Sequence, residues 1–225
     1  MRHFLIGLLF VEAITAQVAS EANRRYQTPE GRAAIATTLN DPHRDDRQKP
    51  KDLVEALALK PGMSVADIGT GTGYMLPFLH DAVGAKGHVY GEDIFDDFLR
   101  QARDHAESKH YRNVTFIKGT EHTTNLPAHS VDVALILDAY HHFDFPGDML
   151  ASIEHGLKRG GRLVIVDFYK RPEAMPGGNA MQHIRIDFDD VVKEIESHGF
   201  KFVEKKEQIP GSQYLAVFEK VSDKR

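Results

Sequence analysis

A glycine-rich stretch follows a short apolar run near residue 65. Residues 65–74 read VADIGTGTGY, so Asp67 stands just ahead of three glycines, Gly69, Gly71 and Gly73. Glycine permits a tight turn and lets a ligand approach the backbone without interference from a Cβ atom. A helix that follows such a turn presents free N–H groups and the positive end of its dipole. The stretch therefore predicts a ligand cradle between a strand and a helix.

Two common ligands of glycine loops do not fit this one. A dinucleotide loop has the pattern G-x-G-x-x-G, which would need glycine where Tyr74 or Leu76 stands. A phosphate-binding P-loop ends in Gly-Lys-Ser/Thr, and residues 69–74 lack that ending. A nicotinamide-dependent oxidoreductase is therefore the least favoured function among those we consider.

Strand and helix patterns alternate along the chain and place the loop at one edge of a sheet. The predicted strands are Ser64–Ile68, His88–Glu92, Val114–Ile117, Val131–Leu137 and Arg162–Phe168. The predicted helices are Asp52–Leu59, Tyr74–Val83, Asp96–Lys109, Gly147–Leu157 and Asp187–His198. Two further runs, Phe200–Lys206 and Tyr214–Glu219, predict a closing antiparallel hairpin. This alternation predicts an α/β fold with a parallel sheet, helices on both faces, and a ligand at the carboxyl ends of the strands.

Composition limits the classes of function. The 225 residues are enough for one domain with a sizeable core. The 28 Lys and Arg against 33 Asp and Glu give a net charge of −5, which offers no bulk attraction to nucleic acid or to an anionic membrane. The chain has no cysteine, which excludes disulfides, thiolate nucleophiles and cysteine-ligated zinc.

The amino terminus has the layout of a secretory signal peptide. A short basic start precedes the apolar run FLIGLLFV, and small and polar residues follow. We interpret residues 1–20 as a signal peptide and expect a periplasmic or secreted protein, with no membrane span after processing. Because Glu12 interrupts the apolar segment, an amphipathic docking segment and a cytoplasmic location stay open as alternatives.

The chain resembles the class I S-adenosylmethionine-dependent methyltransferases over about residues 50–219. An acid ahead of G-x-G-x-G is the first motif of that family, and GHVYGEDI ends the second strand in an acid. NLPAHSVDVALILDAYHHF and LKRGGRLVIVDF resemble the family's fourth- and fifth-strand regions, and RDDRQKP with Gln213-Tyr214 resembles a narrower bacterial group. The resemblance implies a Rossmann-like, seven-stranded, mostly parallel sheet whose last strand is reversed. We accordingly expect a cap or lid segment over residues 21–50, a methyltransferase domain over 51–220 and a tail over 221–225.

The resemblance also implies S-adenosylmethionine as the cofactor and gives the loop its role. It places Gly69, Gly71 and Gly73 against the methionine part of the cofactor, whose carboxylate would lie near Tyr74. Asp67 would hold the loop or reach the cofactor ammonium group. The alternative for Asp67 is a cap that only braces the turn.

The adenosine half of the cofactor is assigned to the second and third strands. By the resemblance, Asp93 accepts hydrogen bonds from the ribose hydroxyls, since a carboxylate has two acceptor oxygens. Ile94 would lie against the adenine ring, and Glu121 would lie near the adenine amine. Glu92 and Asp96 are the alternatives for the ribose contact.

The end of the fourth strand carries the candidates for catalysis. They are Asp138, Tyr140, His141 and His142. Methyl transfer is an in-line displacement that needs mainly alignment and exclusion of water. A base is needed only where the acceptor keeps a proton, and imidazole has a suitable pKa. We favour His142, with a backbone-satisfied histidine as the alternative, and expect no metal site because adjacent histidines diverge and no carboxylate completes one.

Two other segments supply candidates for substrate binding. The long loop YKRPEAMPGGNAMQHIRID carries His183 and Arg185, which would face one side if extended. Arg44 and Gln48 could close over the pocket from the amino-terminal segment, with surface ion pairs as the alternative.

The sequence thus predicts a methyltransferase that acts on a small-molecule acceptor, without nucleic-acid partners. A non-catalytic cofactor-binding or sensor protein on the same fold is the alternative, because an exported protein would meet little of this cytosolic cofactor. The acceptor and the oligomeric state stay open.

Overall fold

The computed structural model describes residues 19–175 and 177–221, so most of the proposed signal peptide, residues 1–18, lies outside the described part. The strands are β1 Ser64–Ile68, β2 His88–Asp93, β3 Val114–Lys118, β4 Val131–Leu137, β5 Leu157–Phe168, β6 Phe200–Ile209 and β7 Gln213–Lys220. The α-helices are α1 Pro29–Leu39, α2 Arg44–Gln48, α3 Pro50–Leu57, α4 Leu76–Val83, α5 Asp96–Ser108, α6 Pro146–Gly156, α7 Ala180–His183 and α8 Phe188–Glu196. Two 3-10 turns cover Arg24–Gln27 and Tyr140–His142.

The seven strands form one sheet in the order β3-β2-β1-β4-β5-β7-β6. The strands β1 to β5 pair in parallel, and β7 is antiparallel to both β5 and β6. The strand order reverses direction at β1 and β4, which is where open α/β sheets form their ligand crevice. The Rossmann-like fold with a reversed last strand is confirmed.

Helices cover both faces of the sheet because successive strand side chains point to opposite sides. Ala134 and Ile136 of β4 join the cluster that holds α6 and α8, whereas Val133 and Leu135 join the cluster that holds α3, α4 and α5. Both clusters are fully apolar at the centre, which explains the unbroken hydrophobic runs of β4 and β5. The sheet is therefore a rigid base for the loops at its carboxyl edge.

Several boundaries differ from the sequence prediction for local reasons. The helix predicted from Tyr74 begins at Leu76, because the chain turns through residues 71–75 before Pro77 starts the helix. The strand predicted from Arg162 begins at Leu157, with an irregular register against β4. The segment before residue 50 forms the helices α1 and α2, and Thr28 caps α1 by accepting from Gly31 N–H at 3.1 Å.

The amino-terminal segment packs over the glycine loop. The Thr72 hydroxyl donates to Asn40 at 2.7 Å, and the Tyr74 hydroxyl donates to Asp45 at 2.9 Å. The Arg44 guanidinium lies 3.9 Å from the centre of the Tyr74 ring, a cation–π contact. The segment that the sequence predicted to be a cap or lid therefore lies against the glycine loop, and its role as a lid stays a prediction. Within the described ranges, the helices are all too short or too polar to cross a bilayer.

Candidate active site

The glycine loop has a backbone that only glycine adopts readily. Gly69, Gly71 and Gly73 have φ values of 72°, 55° and 87°, in the region that disfavours any residue with a Cβ atom. At Gly73 an added Cβ would also lie 2.8 Å from Leu76 and 3.1 Å from Ala102. The loop can therefore approach both the helix behind it and a ligand in front of it.

Asp93, the predicted ribose ligand, lies at the carboxyl end of β2 beside this loop. Its carboxylate accepts hydrogen bonds from the Gly71 and Phe95 N–H groups, each at 2.9 Å. It is 6% exposed, and burial raises its pKa to about 6 despite the two backbone bonds. Each oxygen keeps further acceptor capacity, which two neighbouring hydroxyl groups could use.

Asp67 supports the loop from β1. The Thr70 hydroxyl donates to its carboxylate at 2.7 Å, which is the bracing contact considered as the alternative role. Burial raises its pKa to about 6. Its neighbour Glu92 is also buried, accepts weakly from Gly69 N–H at 3.4 Å, and has one carboxylate oxygen without a partner among the described residues. Burial raises the pKa of Glu92 well above its usual value, and the Asp93 carboxylate beside it acts in the same direction.

Asp138 closes the other side of the crevice. It follows β4 with a φ of 54°, a strained value for a residue other than glycine. Gln213 donates to it at 2.6 Å, and Gln48 donates to Gln213 at 3.1 Å. Burial raises its pKa to about 7, while the nearby Arg44 guanidinium acts in the opposite direction. Gln48, predicted to contact substrate, instead links the lid to the sheet through Gln213.

Tyr26 is a residue that sequence reasoning missed. Its ring stacks on Phe95 at 5.7 Å between centroids and contacts the His142 ring edge-on at 4.9 Å. Burial is the main cause that raises its pKa to about 12, and the Asp93 and Asp138 carboxylates act in the same direction. Tyr26 therefore lies between the predicted ribose acid and the predicted catalytic histidine. No local pattern in a polar segment points to such a contact.

The structure brings His183 to the histidine pair. His141, His142 and His183 each offer a nitrogen within 4.8 Å of the other two. The Nδ1–H group of His141 donates to buried Asp167 at 2.7 Å, and that of His142 donates to Asn23 at 2.7 Å. Burial lowers the pKa of all three imidazoles, most strongly for His141 and His142. We expected no metal site because His141 and His142 are adjacent and diverge, and the sequence did not show that His183 would lie beside them.

Asp167 and Asn23 were also missed. Asp167 ends β5, next to Asp138 at the end of β4, so the rule that ligands lie at the carboxyl ends of strands was the available signal. Asn23 has no such signal, since it reaches His142 across 119 residues of sequence separation.

Two predicted pocket residues make structural contacts instead. The Tyr140 hydroxyl donates to Glu194, and the Arg185 guanidinium pairs with the same carboxylate through two nitrogens. Both residues are almost fully buried, and only Nε of Arg185 has no partner among the described residues. The reason is the short helix α7, which breaks the extended run that would have turned Arg185 and His183 to the same side.

The remaining predicted contacts lie at the correct edge of the sheet. Ile94 is half-buried directly after Asp93, and Glu121 lies exposed in the turn after β3. The adenine roles of these two residues stay predictions.

The crevice fits a cationic cofactor. Asp67, Asp93 and Asp138 are buried carboxyls, and in residues 19–175 and 177–221 none of them forms an ion pair with Lys, Arg or His. Buried charge is costly unless it is paired, which is why their pKa values are raised. S-adenosylmethionine carries an ammonium and a sulfonium group together with the ribose hydroxyls. The bare loop backbone and these carboxyls match that combination, and a pyrophosphate would be repelled by them.

Comparison with known proteins agrees with this site. A family model described as methyltransferase domain matches residues 59–208. The structure is similar to a SAM-dependent methyltransferase from Aquifex aeolicus, with 26% identity, a TM-score of 0.78, and coverage of 84% of this chain and 98% of that one. The ubiquinone/menaquinone biosynthesis C-methyltransferase UbiE of Ectopseudomonas mendocina is 32% identical over 52% of this chain and 46% of its own length. The protein-L-isoaspartate O-methyltransferase of Methanothrix thermoacetophila is 29% identical over 50% and 51% respectively.

The fold, the glycine cradle and the buried acids define a class I S-adenosylmethionine-dependent methyltransferase. The chain belongs to the methyltransferase-domain family, whose model covers most of the sheet. The chain spans about half the length of the curated relatives it matches.

Proposed function

We propose that this protein transfers a methyl group from S-adenosylmethionine to a small-molecule acceptor. The observation that carries the proposal is the set of three buried carboxyls around a bare glycine loop without a lysine or arginine paired to any of them. When bound, the cofactor supplies a methyl group on a positively charged sulfur. The acceptor would lie on the histidine side of the crevice, since Tyr26 joins Phe95, beside the ribose acid, to His142.

The residues of this chain would act mainly by positioning. Asp93 would hold the ribose, and the glycine loop would let the methionine part approach the backbone. The lid formed by α1 and α2 would exclude water, which favours displacement at a cationic carbon. A neutral imidazole of the cluster can accept the proton of an acceptor hydroxyl or thiol, because burial keeps these rings unprotonated near neutral pH.

The acceptor is proposed only as a class. The curated relatives are named for methylation at carbon and at oxygen, so similarity does not select the acceptor atom. The cluster of imidazoles favours a polar acceptor with an ionisable group. The net charge of −5 offers no bulk attraction to nucleic acid, which favours a small molecule.

The decisive experiment measures binding by calorimetry with S-adenosylmethionine, its demethylated product and NAD. We expect binding of the first two and none of NAD. Replacement of Asp93 by Ala should weaken S-adenosylmethionine binding about 100-fold, since two charge-assisted hydrogen bonds contribute about 3 kcal/mol together. Asp93→Asn serves as a second variant that keeps the size of the side chain.

The matched control is Asp96→Ala, because Asp96 lies in the same stretch and forms an exposed ion pair with Lys118. Its affinity should stay within about twofold of the parent protein. Equal loss in the two variants, or tight binding of NAD, would overturn the cofactor assignment. Product formation with a panel of acceptors separates the enzyme from a non-catalytic cofactor sensor on the same fold.

Export of the protein is also proposed. The basic and apolar start of residues 1–20 supports it. Cleavage after Ser20 would leave Asn23 and Tyr26 in place to contact His142. Amino-terminal sequencing of the protein recovered from cells tests this, and an intact Met1 would contradict it.

A further inference from the structure

Three imidazoles converge beside the cofactor crevice from two distant parts of the chain. His141 and His142 come from the 3-10 turn after β4, and His183 comes from the end of α7. The ring centroids are 4.1 Å apart for His141 and His142, 5.0 Å for His141 and His183, and 5.2 Å for His142 and His183. One nitrogen of each ring lies within 4.8 Å of the other two. Nitrogens bound to one tetrahedral zinc at about 2.1 Å are about 3.4 Å apart, so the nitrogens would need to approach one another by at most about 1.4 Å to form a site.

Two of the rings donate hydrogen bonds of the kind that metal-binding histidines make. Metal-binding histidines commonly donate their second N–H group to a carboxylate or carbonyl oxygen, which fixes the tautomer and aims the other nitrogen at the metal. His141 donates from Nδ1 to Asp167, and Asp167 also accepts from the His141 backbone N–H at 3.0 Å. His142 donates from Nδ1 to the side-chain oxygen of Asn23. Nε2 of both rings is thereby left as the lone-pair donor.

We propose that His141, His142 and His183 bind one divalent transition metal ion, with Zn²⁺ as the best match. A donor set of three imidazoles suits zinc and its neighbours and does not suit Mg²⁺ or Ca²⁺, which prefer oxygen. Zinc sites with three protein ligands keep a fourth position for water or substrate. The contact of His142 with Tyr26 places this site on the acceptor side of the crevice.

The consequence for chemistry rests on the proposed methyl transfer. An acceptor hydroxyl or thiol that takes the open position would release its proton to solvent, because the metal stabilises the anion. Its lone pair would then form the bond to the methyl carbon, and the carbon–sulfur bond would break with its electron pair left on sulfur. With all three imidazoles on the metal, the metal would replace the free imidazole base of the metal-free site in making the acceptor an anion.

The test uses the full chain, freed of metal by a chelator, and Zn²⁺ alone as the probe. Calorimetry and elemental analysis should give one zinc per chain. The His183→Ala variant should bind zinc at least about 100-fold more weakly, and Asp167→Asn about 10-fold to 100-fold more weakly. The matched control His155→Ala, at an exposed position on α6, should bind as the parent does. Substituted Co²⁺ should give the visible absorption of a low-coordinate nitrogen site in the parent and lose it in His183→Ala.

A folded parent protein that retains less than about one-fifth of a zinc per chain would overturn the proposal. Equal zinc affinity in the parent and in His183→Ala would do the same, as would equal loss in His155→Ala. The parent measurement needs no variant, so a folding defect in His183→Ala leaves the proposal testable. Zinc binding requires neither cofactor nor acceptor, and a protein that binds S-adenosylmethionine but no zinc would contradict only this inference.

Discussion

The cofactor side and the acceptor side of the crevice are built in different ways. On the cofactor side, Asp67, the glycine loop and Asp93 come from two neighbouring strands and the turns that follow them. On the proposed acceptor side, His142 meets Asn23 and Tyr26 of the amino-terminal segment and His183 of the loop after β5, so two distant parts of the chain come to it. The first side depends on local geometry, and the second depends on how distant elements pack.

The two sides also differ in charge. The cofactor side buries carboxyls that form no ion pair with a cation of the described residues, whereas the acceptor side buries imidazoles, one of which donates to Asp167. The carboxyls would gain from a cationic ligand, and the imidazoles offer lone pairs to a proton or a metal. The difference indicates that cofactor binding and acceptor chemistry can be disturbed separately.

The largest expected effect is a loss of stability in Arg185→Ala, a variant near the histidine cluster that should leave cofactor binding unchanged. Arg185→Ala leaves the Glu194 carboxylate, which also accepts from the Tyr140 hydroxyl, without its cationic partner. Breaking a buried ion pair on one side destabilises a protein by about 3 kcal/mol. Denaturant unfolding should show this loss, while calorimetry at low temperature should show S-adenosylmethionine affinity within about twofold of the parent. The control is the exposed ion pair of Lys193 with Asp190. Lys193→Ala removes this pair and should change the free energy of unfolding by less than about 0.5 kcal/mol. A large loss of cofactor affinity in Arg185→Ala would show that the two sides are coupled.

The next effect is a pH dependence of cofactor binding. The folded-state pKa of Asp67 and of Asp93 is raised by burial to about 6, above the usual value near 4. Without cofactor, the folded protein therefore holds more protons than the unfolded chain between about pH 4 and 6, and these groups reduce stability as pH rises through that window. A cationic ligand needs the ionised form, so its affinity should rise about tenfold from pH 5 to pH 7 for each carboxylate that it contacts.

Calorimetry across this range measures the dependence, and the gain in melting temperature on adding S-adenosylmethionine should grow in parallel. The Asp93→Asn variant is the internal control, since it should lose one carboxylate's share of the slope. An affinity that stays constant from pH 5 to pH 7 would contradict the assignment of the buried carboxyls to the cationic cofactor.

The smallest effect concerns the residue that joins the two sides. Tyr26→Ala removes the ring that packs between Phe95 and His142, and aromatic contacts contribute about 1 kcal/mol each. We expect the dissociation rate of S-adenosylmethionine to rise by about fivefold to tenfold in stopped-flow measurements, because the lid loses an anchor. Tyr26→Phe keeps the ring and should stay within twofold. If both variants released the cofactor at the parent rate, the lid would have no part in retaining it.

Much of the fold could be predicted from the sequence because its cause is local. The alternation of apolar runs and helical spacing identified all seven strands and the principal helices to within a few residues. That the glycine loop and Asp93 lie side by side could be predicted because a bare turn after one strand and an acid at the end of the next meet when parallel strands pair.

The acceptor side could not be assembled in this way. His141 and His142 were recognised, but the sequence did not show that α7 would carry His183 back to them or that Glu194 would engage Arg185. The sequence also did not show that Asn23 and Tyr26 would contact His142, since the polar segment around them has no hydrophobic periodicity. The sequence alone determined the strands, the principal helices and the glycine loop, because contacts within a strand–turn–helix unit follow from neighbouring residues. The tertiary structure alone decided the histidine cluster and the contacts of Asn23 and Tyr26 with it, because these residues are far apart along the chain and meet only when the helices and loops pack on the sheet.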